Sequence, residues 1–392
     1  MNAIRLAVLS DLHAYVDTSK SSNSSLAYGN PSSETRNPLS MLIAFVKKQE
    51  LRADVVVCPG DICNQADFAG FSRAWAALGE LKCAMGASEV IATCGNHDLD
   101  SRYLGTSHDD PDPKGELMCL NFPFDNVDAT NKFWAKNYCI VQLRPGVCAV
   151  VLNTSAYHGG KQGEIDYGRV SRRTITSITH DLKAHVASGA HILVCHHHLI
   201  PMQGWESKPD YQYVLKGAEL LDALEEATGT SWLVIHGHRH TPRLMYGPSS
   251  SSATPIIFGA GSLGAQTPNT PNLFHLLELE QSTCSTHTSL VGTVRTWAWN
   301  ESSGWCVSTR TSTGLPGICG FGFRGQLNGL AAEIAKVIGD EYLNWQEAIV
   351  AVPSLAYLMP TDFAKLESAL GSRNLAIQFA SDGCPAQIGR KA

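Results

Sequence analysis

Short apolar runs closed by polar clusters recur along this chain: Ile4 to Leu9, Val55 to Cys58, Val90 to Cys94, Ile192 to Cys195 and Trp232 to Ile235. Runs without polar alternation predict strands covered on both faces, as in a parallel sheet. Between them lie stretches with helical spacing, Pro38 to Lys48, Phe68 to Met85, Thr174 to Ser188 and Gly217 to Thr228. Strand and helix alternating from residue 1 to about 245 predict a βαβ layered domain.

The pattern changes at Pro255. Pro255 to Phe258, Phe274 to Leu279, Leu290 to Trp299 and Trp305 to Thr309 read as strands with little helix between them, the last two joined by a turn at Asn300–Gly304. They predict a second sheet packed against the first. Beyond Thr311 come a glycine-rich piece (Gly314 to Gly325), an amphipathic helix (Leu327 to Ile338) and a further helix (Thr361 to Leu370). The expected division is therefore residues 1–310 as one α/β domain and 311–392 as a C-terminal extension of unassigned role. Two polar segments, Thr18 to Asn37 and Asp100 to Asn126, read as loops that border the candidate site. No internal repeat is apparent.

A chain of 392 residues with 44% hydrophobic content has ample material for a core, so a metal is not needed merely to hold it folded. The net charge of −6 gives no global footprint for nucleic acid. The 12 cysteines are scattered singly, and Cys58, Cys94 and Cys195 lie inside apolar strands, so reduced core thiols are expected. The apolar stretch after Met1 runs straight into Asp11, leaving no room for a cleavable leader. No window approaches the roughly 20 apolar residues of a membrane span, and the expected location is the cytoplasm.

Five polar motifs close the strands: Asp11-Leu12-His13, Gly60-Asp61, Gly95-Asn96-His97-Asp98, His196-His197-His198 and Gly237-His238-Arg239-His240. Together they supply a ligand set for two divalent ions. Ions about 3.5–4 Å apart need a bridging carboxylate, and Asp61 is the natural bridge. The missing Cβ of Gly60 would let the chain turn closely toward the metals. Asp11 and His13, two apart on an extended strand end, would point to the same side, and His238 and His240 repeat that spacing. Asn96 offers a neutral amide oxygen and His196 an imidazole; the residues alone leave His97 open. Oxygen and imidazole without thiolate point to Mn, Fe, Zn, Co or Ni.

In order, spacing and residue type, the motifs over about residues 4–245 resemble the D-x-H, G-D, G-N-H-[DE], H and G-H-x-H series of the calcineurin-like metallophosphoesterase superfamily. The resemblance implies a division of ligands: Asp11, His13, Asp61 and His240 on one ion, and Asp61, Asn96, His196 and His238 on the other. It further implies that His97 contacts the phosphate and protonates the leaving oxygen, with Asp98 as its orienting partner, while a metal-bridging hydroxide attacks. The purple acid phosphatase branch has a tyrosine three residues after the bridging aspartate; here the position is Asn64, and no coloured ferric site is expected. Gly163 to Asp166 and His196 to Pro201 resemble the phosphodiesterase-like branch, although His198 and Leu199 stand where that branch has prolines.

Other histidines, His108, His180, His185, His191, His275 and His287, read as structural or surface residues. His197 and His198 stay open between packing and substrate contact. His236 reads as packed behind the ligands, and Arg239 as facing away from them. Trp297, Trp299 and Trp305 could stack bases but read as core. The resulting expectation is a four-layer α/β/β/α sandwich of two mixed sheets flanked by helices. It would act as a dinuclear phosphodiesterase on a small molecule or nucleic acid. The alternatives are a nuclease whose C-terminal elements grip DNA, which the acidic balance disfavours, a phosphomonoesterase, and a non-catalytic scaffold, which the complete ligand set disfavours. Self-association or a protein partner is assigned to the C-terminal extension, and no membrane contact is expected.

Overall fold

The apolar runs form strands where their pattern places them. β1 (Ile4–Val8) pairs in parallel with β2 (Val55–Cys58), and β2 with β3 (Glu89–Ala92). The chain then crosses to a second sheet: β4 (Tyr138–Arg144), β5 (Val147–Leu152), β6 (Ala190–Val194), β7 (Trp232–His236), β8 (Pro242–Tyr246) and β9 (Ile256–Ala260). Its order is β4-β5-β6-β7-β9-β8, with β5 to β9 parallel and both edges antiparallel. The first sheet resumes with β10 (Asn272–Gln281), antiparallel to β1, followed outward by β11 (His287–Asn300) and β12 (Gly304–Val307), while β13 (Ile318–Phe323) also pairs with β11. This computed structural model describes residues 3–21, 23–99, 101, 112–158, 166–185, 189–202, 212–248, 253–268, 270–309, 314–339 and 341–391. His108, residues 163–165 and the end of the Thr174–Ser188 stretch lie outside them.

The strands after Pro255 do not make a separate sheet. β9 completes the sheet of β4–β8, whereas β10 to β13 extend the sheet begun by β1, so each sheet mixes early and late segments. The pairing of β13 with β11 also carries the first sheet past residue 310.

Helices cover the two outer faces. α1 (Pro31–Arg36), α2 (Pro38–Lys48) and α3 (Phe68–Met85) precede β3; α4 (Pro113–Cys119), α5 (Val127–Lys136), α6 (Arg172–His185) and α7 (Gly217–Thr228) follow it. Leu39, Leu42 and Val46 of α2 and Phe71, Leu78 and Leu81 of α3 pack on the first sheet in the same core that fills the space between the sheets. On β6, Ile192 and Val194 belong to that inner core, while Leu193, and Cys195 just past the strand, face a second core with Ile178 and Leu182 of α6 and Leu220 and Leu224 of α7. Burial on both faces is why these strands read as unbroken apolar runs. The result is the expected four-layer α/β/β/α sandwich.

The segment Thr18–Asn37, read as loop, contains α1, whose start is set by Asn30 accepting from the Ser33 amide and by Pro31 in the first turn. Asp112 and Pro113 start α4 within the Asp100–Asn126 stretch in the same way. Trp297 stacks on Phe274 (5.5 Å between ring centres) and Trp305 donates from Nε1 to Pro38 O (3.0 Å), so both are core residues.

The C-terminal residues build their own small core. α8 (Leu327–Ile338), β14 (Tyr342–Asn344), α9 (Trp345–Ala351), α10 (Pro360–Gly371), β15 (Leu375–Phe379) and β16 (Pro385–Arg390) enclose Leu330, Ile334, Leu366, Leu370 and Ile388, with β14-β16-β15 as a three-stranded sheet. Phe323, the last residue of β13, packs into this core, and the Gly320 amide donates to Leu358 O (2.9 Å). Among the described residues no helix is long and apolar enough to cross a membrane.

Candidate metal centre

The five motifs follow β1, β2, β3, β6 and β7, so the site draws on the C-terminal ends of strands from both sheets. Among the described residues two groups could hold metal: Asp11, His13, Asp61 and His240, and His196, His197 and His238. Asn96 joins the second, its Oδ1 lying 3.1 Å from both His196 Nε2 and His238 Nδ1.

Asp61 links the groups. Its Oδ1 accepts the His97 amide (2.7 Å), while its Oδ2 lies 3.6 Å from His13 Nε2 and 3.3 Å from His196 Nε2. One carboxylate oxygen thus faces an imidazole from each group. Asp11 Oδ1 lies 3.5 Å from His240 Nε2 and 4.0 Å from His13 Nε2.

The side chains converge by a route other than the one expected. β1 ends at Val8 and β7 at His236, so Asp11, His13, His238 and His240 are not on extended strand. Asp11 (φ 51°), His13 (φ 50°), Asp61 (φ 52°), His238 (φ 74°) and His240 (φ 56°) all adopt the left-handed conformation that side-chain-bearing residues seldom take. Such positions concentrate at functional sites and persist only where their surroundings hold them. Gly60 (φ 102°) belongs to the same turn, and a Cβ there would come within 2.6 Å of Gly95 N and 2.8 Å of His196 Nδ1.

Each histidine facing the centre has its other nitrogen tied to an oxygen. His196 Nδ1 donates to Pro59 O (2.9 Å) and His238 Nε2 to Asp166 O (3.0 Å). His13 Nδ1 meets Asn64 Oδ1 (3.3 Å) and His240 Nδ1 meets Thr267 Oγ1 (3.3 Å). The inward nitrogens of His13 and His238 are then lone pairs, His13 Nε2 and His240 Nε2 face each other at 3.0 Å, and the His196 ring is held protonated by the Asp61 carboxylate. Lone pairs and carboxylates brought this close fit cations between them, with the oxygen backing that orients metal-bound imidazoles. Electrostatics agrees. Burial works to raise Asp11 and Asp61, yet the neighbouring His240 and His196 prevail and hold both carboxyls below their usual range. Burial lowers His13, and burial together with the facing His196 lowers His238, keeping these rings neutral as ligands must be.

His97 is half-buried beside this centre, its ring 4.6 Å from that of His13. The Asp98 carboxylate, expected to orient this ring, is engaged by two backbone amides. Asp98 accepts the amides of Cys63 (2.8 Å) and Gly95 (2.8 Å), and burial together with the Asp61 charge raises its carboxyl to about 7. It ties the Asp61 turn to the Asn96 turn. Asn64 lies on the ring, its Oδ1 accepting from His97 Nδ1 (2.9 Å) and its Nδ2 donating to Lys20 O (2.6 Å). The sequence singled out Asn64 only as a missing tyrosine; a polar residue three places past the bridging carboxylate was the signal for its role.

His236 Nδ1 donates to Gly237 O (3.0 Å) behind the cluster, and Arg239 contacts Gln212. His197 and His198 are both buried at the site. His191 stacks on Trp232, and His275 is buried against Thr296, consistent with structural roles.

Residues 4–242 match the family model for calcineurin-like phosphoesterases, and residues 319–372 match a second, named wHTH-Calcineurin_assc. No curated protein matches the chain. Among solved structures it is similar to purple acid phosphatase PPD1 from yellow lupin (Lupinus luteus), at 14% identity and TM-score 0.46, over 77% of this chain and 52% of that one. A putative 5'-nucleotidase from Staphylococcus aureus gives 14% identity and TM-score 0.41, over 72% and 51%. The phosphoesterase Yfce from E. coli gives 12% and 0.30, over 71% and 93%. The chain thus spans about half the length of the first two. On the match over residues 4–242, the chain belongs to the calcineurin-like phosphoesterases, and its clustered Asp and His side chains could hold metal.

Proposed function

We propose that the chain is a dinuclear phosphodiesterase in which Asp61 bridges two divalent ions of the Mn, Fe, Zn, Co or Ni class. Asp11, His13 and His240 complete one ion's ligand set, and Asn96, His196 and His238 the other's. The observation that carries this is the position of Asp61 Oδ2 between His13 Nε2 and His196 Nε2. When bound, the ions supply an acidified water and neutralise the phosphoryl oxygens.

The protein's own residues do the rest. His97 carries the proton for the departing ester oxygen, and Asn64 fixes the ring by holding Nδ1. The amide of His97 on Asp61 Oδ1 keeps the bridge in register with the acid. A diester is favoured by the likeness of His196–Pro201 and Gly163–Asp166 to the phosphodiesterase-like branch, and Asp166 O backs His238 Nε2. The 12 unpaired cysteines support a reducing compartment such as the cytoplasm.

A second reading, a nuclease, draws on the match to wHTH-Calcineurin_assc over residues 319–372. That segment carries Arg324, Lys336 and Lys365 against Glu333, Asp340, Glu341, Glu347, Asp362 and Glu367. An acidic unit is poorly suited to phosphate contacts and better suited to a protein partner. The test is hydrolysis by the purified chain with Mn²⁺ of bis(p-nitrophenyl) phosphate, p-nitrophenyl phosphate, cyclic nucleotides, and single-stranded and duplex DNA. The diester and cyclic nucleotides should be cleaved fastest. Preference for the monoester would overturn the diester assignment, and preference for DNA would establish the nuclease.

A further inference from the structure

His197 is fully buried, and its Nε2 is closed off from solvent with no hydrogen-bond partner. Buried polar atoms are almost always satisfied, so an orphaned one asks for an explanation. The ring is not loosely held. Nδ1 lies 2.9 Å from Thr154 Oγ1, which also accepts the His197 amide (3.2 Å), and His158 lies against the ring at 5.3 Å between centres.

The arrangement repeats that of His240, whose Nδ1 is likewise backed by a threonine hydroxyl, Thr267 Oγ1, while Nε2 faces inward. With Nδ1 donating to Thr154, His197 Nε2 is a lone pair. His197 groups with His196 and His238, one ligand atom of each lying within 4.8 Å of the others. The ring of His197 is 4.4 Å from that of His238 and 4.9 Å from that of His196.

We propose that His197 Nε2 is a further ligand of the second metal ion. This rests on the dinuclear reading above and adds a fifth protein donor to Asp61, Asn96, His196 and His238. Five protein donors exceed the four that zinc usually takes and suit ions that accept six, such as manganese or ferrous iron. The third residue in a run of three, His198, does not share this position, since it is not part of the cluster of inward ligand atoms found among the described residues.

The test is cobalt(II) titration of chelator-stripped protein, read by visible absorption and by metal analysis, for the wild type, His197→Gln, His197→Ala and Thr154→Val. The wild type should take two cobalt ions per chain. The His197 variants should keep the first and bind the second at least about tenfold more weakly, with altered ligand-field bands. Thr154→Val, which leaves the ring in place but unbacked, should weaken the second site in the same direction should either His197 variant fail to fold. Unchanged second-site affinity and bands in every folded variant would overturn the inference while leaving the dinuclear reading intact. A wild-type chain that takes up no cobalt would overturn that reading, and this inference with it.

Discussion

Asn64 Oδ1 lies 2.9 Å from Nδ1 of His97 and, with the same oxygen, 3.3 Å from Nδ1 of His13. One amide therefore orients both a proposed acid and a proposed ligand. Asn64→Leu should lower kcat roughly 10–100-fold and loosen the first ion. Asn64→Asp, which restores an acceptor, should recover much of the loss and move the alkaline limb of the pH–rate profile upward, because a carboxylate favours the charged ring. Equal kcat in the leucine variant and wild type would refute this role.

Asp61 and His97 should separate metal binding from chemistry. His97→Ala should keep two ions per chain and lose roughly 10²–10⁴-fold in turnover. Asp61→Ala should lose metal as well, since its Oδ2 faces an imidazole from each of the two groups, 3.6 Å from His13 Nε2 and 3.3 Å from His196 Nε2. Metal analysis of the two variants decides it: equal metal loss would sink the division of labour.

His196 couples metal uptake to pH. Burial alone would push its ring down, but the Asp61 carboxylate, 3.3 Å away, prevails and raises it to about 9 in the metal-free protein. A folded value above the ordinary 6.5 means that this pair stabilises the apo fold fully below pH 6.5, a contribution that fades as pH rises through about 9. That proton must leave before Nε2 can bind an ion, so apparent affinity at the second site should rise about tenfold per pH unit from 7 toward 9. Calorimetry at pH 7 in two buffers of different ionisation enthalpy should show proton release; heats independent of buffer would exclude it.

Asp67 anchors the segment that leaves His13. Its Oδ1 caps α3 through the Gly70 amide (2.9 Å), and its Oδ2 accepts the amides of Val16 and Asp17 (2.9 Å each). Asp67→Ala removes the cap and strands two further amides, and should cost roughly 2–3 kcal/mol in urea unfolding. A loss under about 0.5 kcal/mol would mean that water replaces the carboxylate freely.

Much of this was legible in the chain itself. α2, α3, α7 and α8 have the ends their periodicity assigns: Asn37 and Asp67 cap the starts of the first two, and α3, α7 and α8 stop at Gly86, Gly229 and Gly339. The convergence of Asp11, His13, Asp61, Asn96, His196, His238 and His240 was legible because strand ends carry them in order. Three things were hidden. Left-handed turns at Asp11, His13 and Asp61 leave no mark in residue type, since these are not glycines. That Asn64 and not Asp98 contacts the His97 ring follows from the Cys63 and Gly95 amides engaging the Asp98 carboxylate, a tertiary outcome. The splitting of β9 from β10 between two sheets depends on non-local pairing that alternation cannot reveal.

Phe323 closes one sheet and seeds the core of the C-terminal helices, with Tyr246 Oη donating to its carbonyl (3.0 Å). The C-terminal unit is therefore clamped to the first sheet rather than hung from it on a tether. Anything bound there would stand at one constant offset from the clustered Asp and His side chains, as on a fixed gauge and not on an independently roaming module.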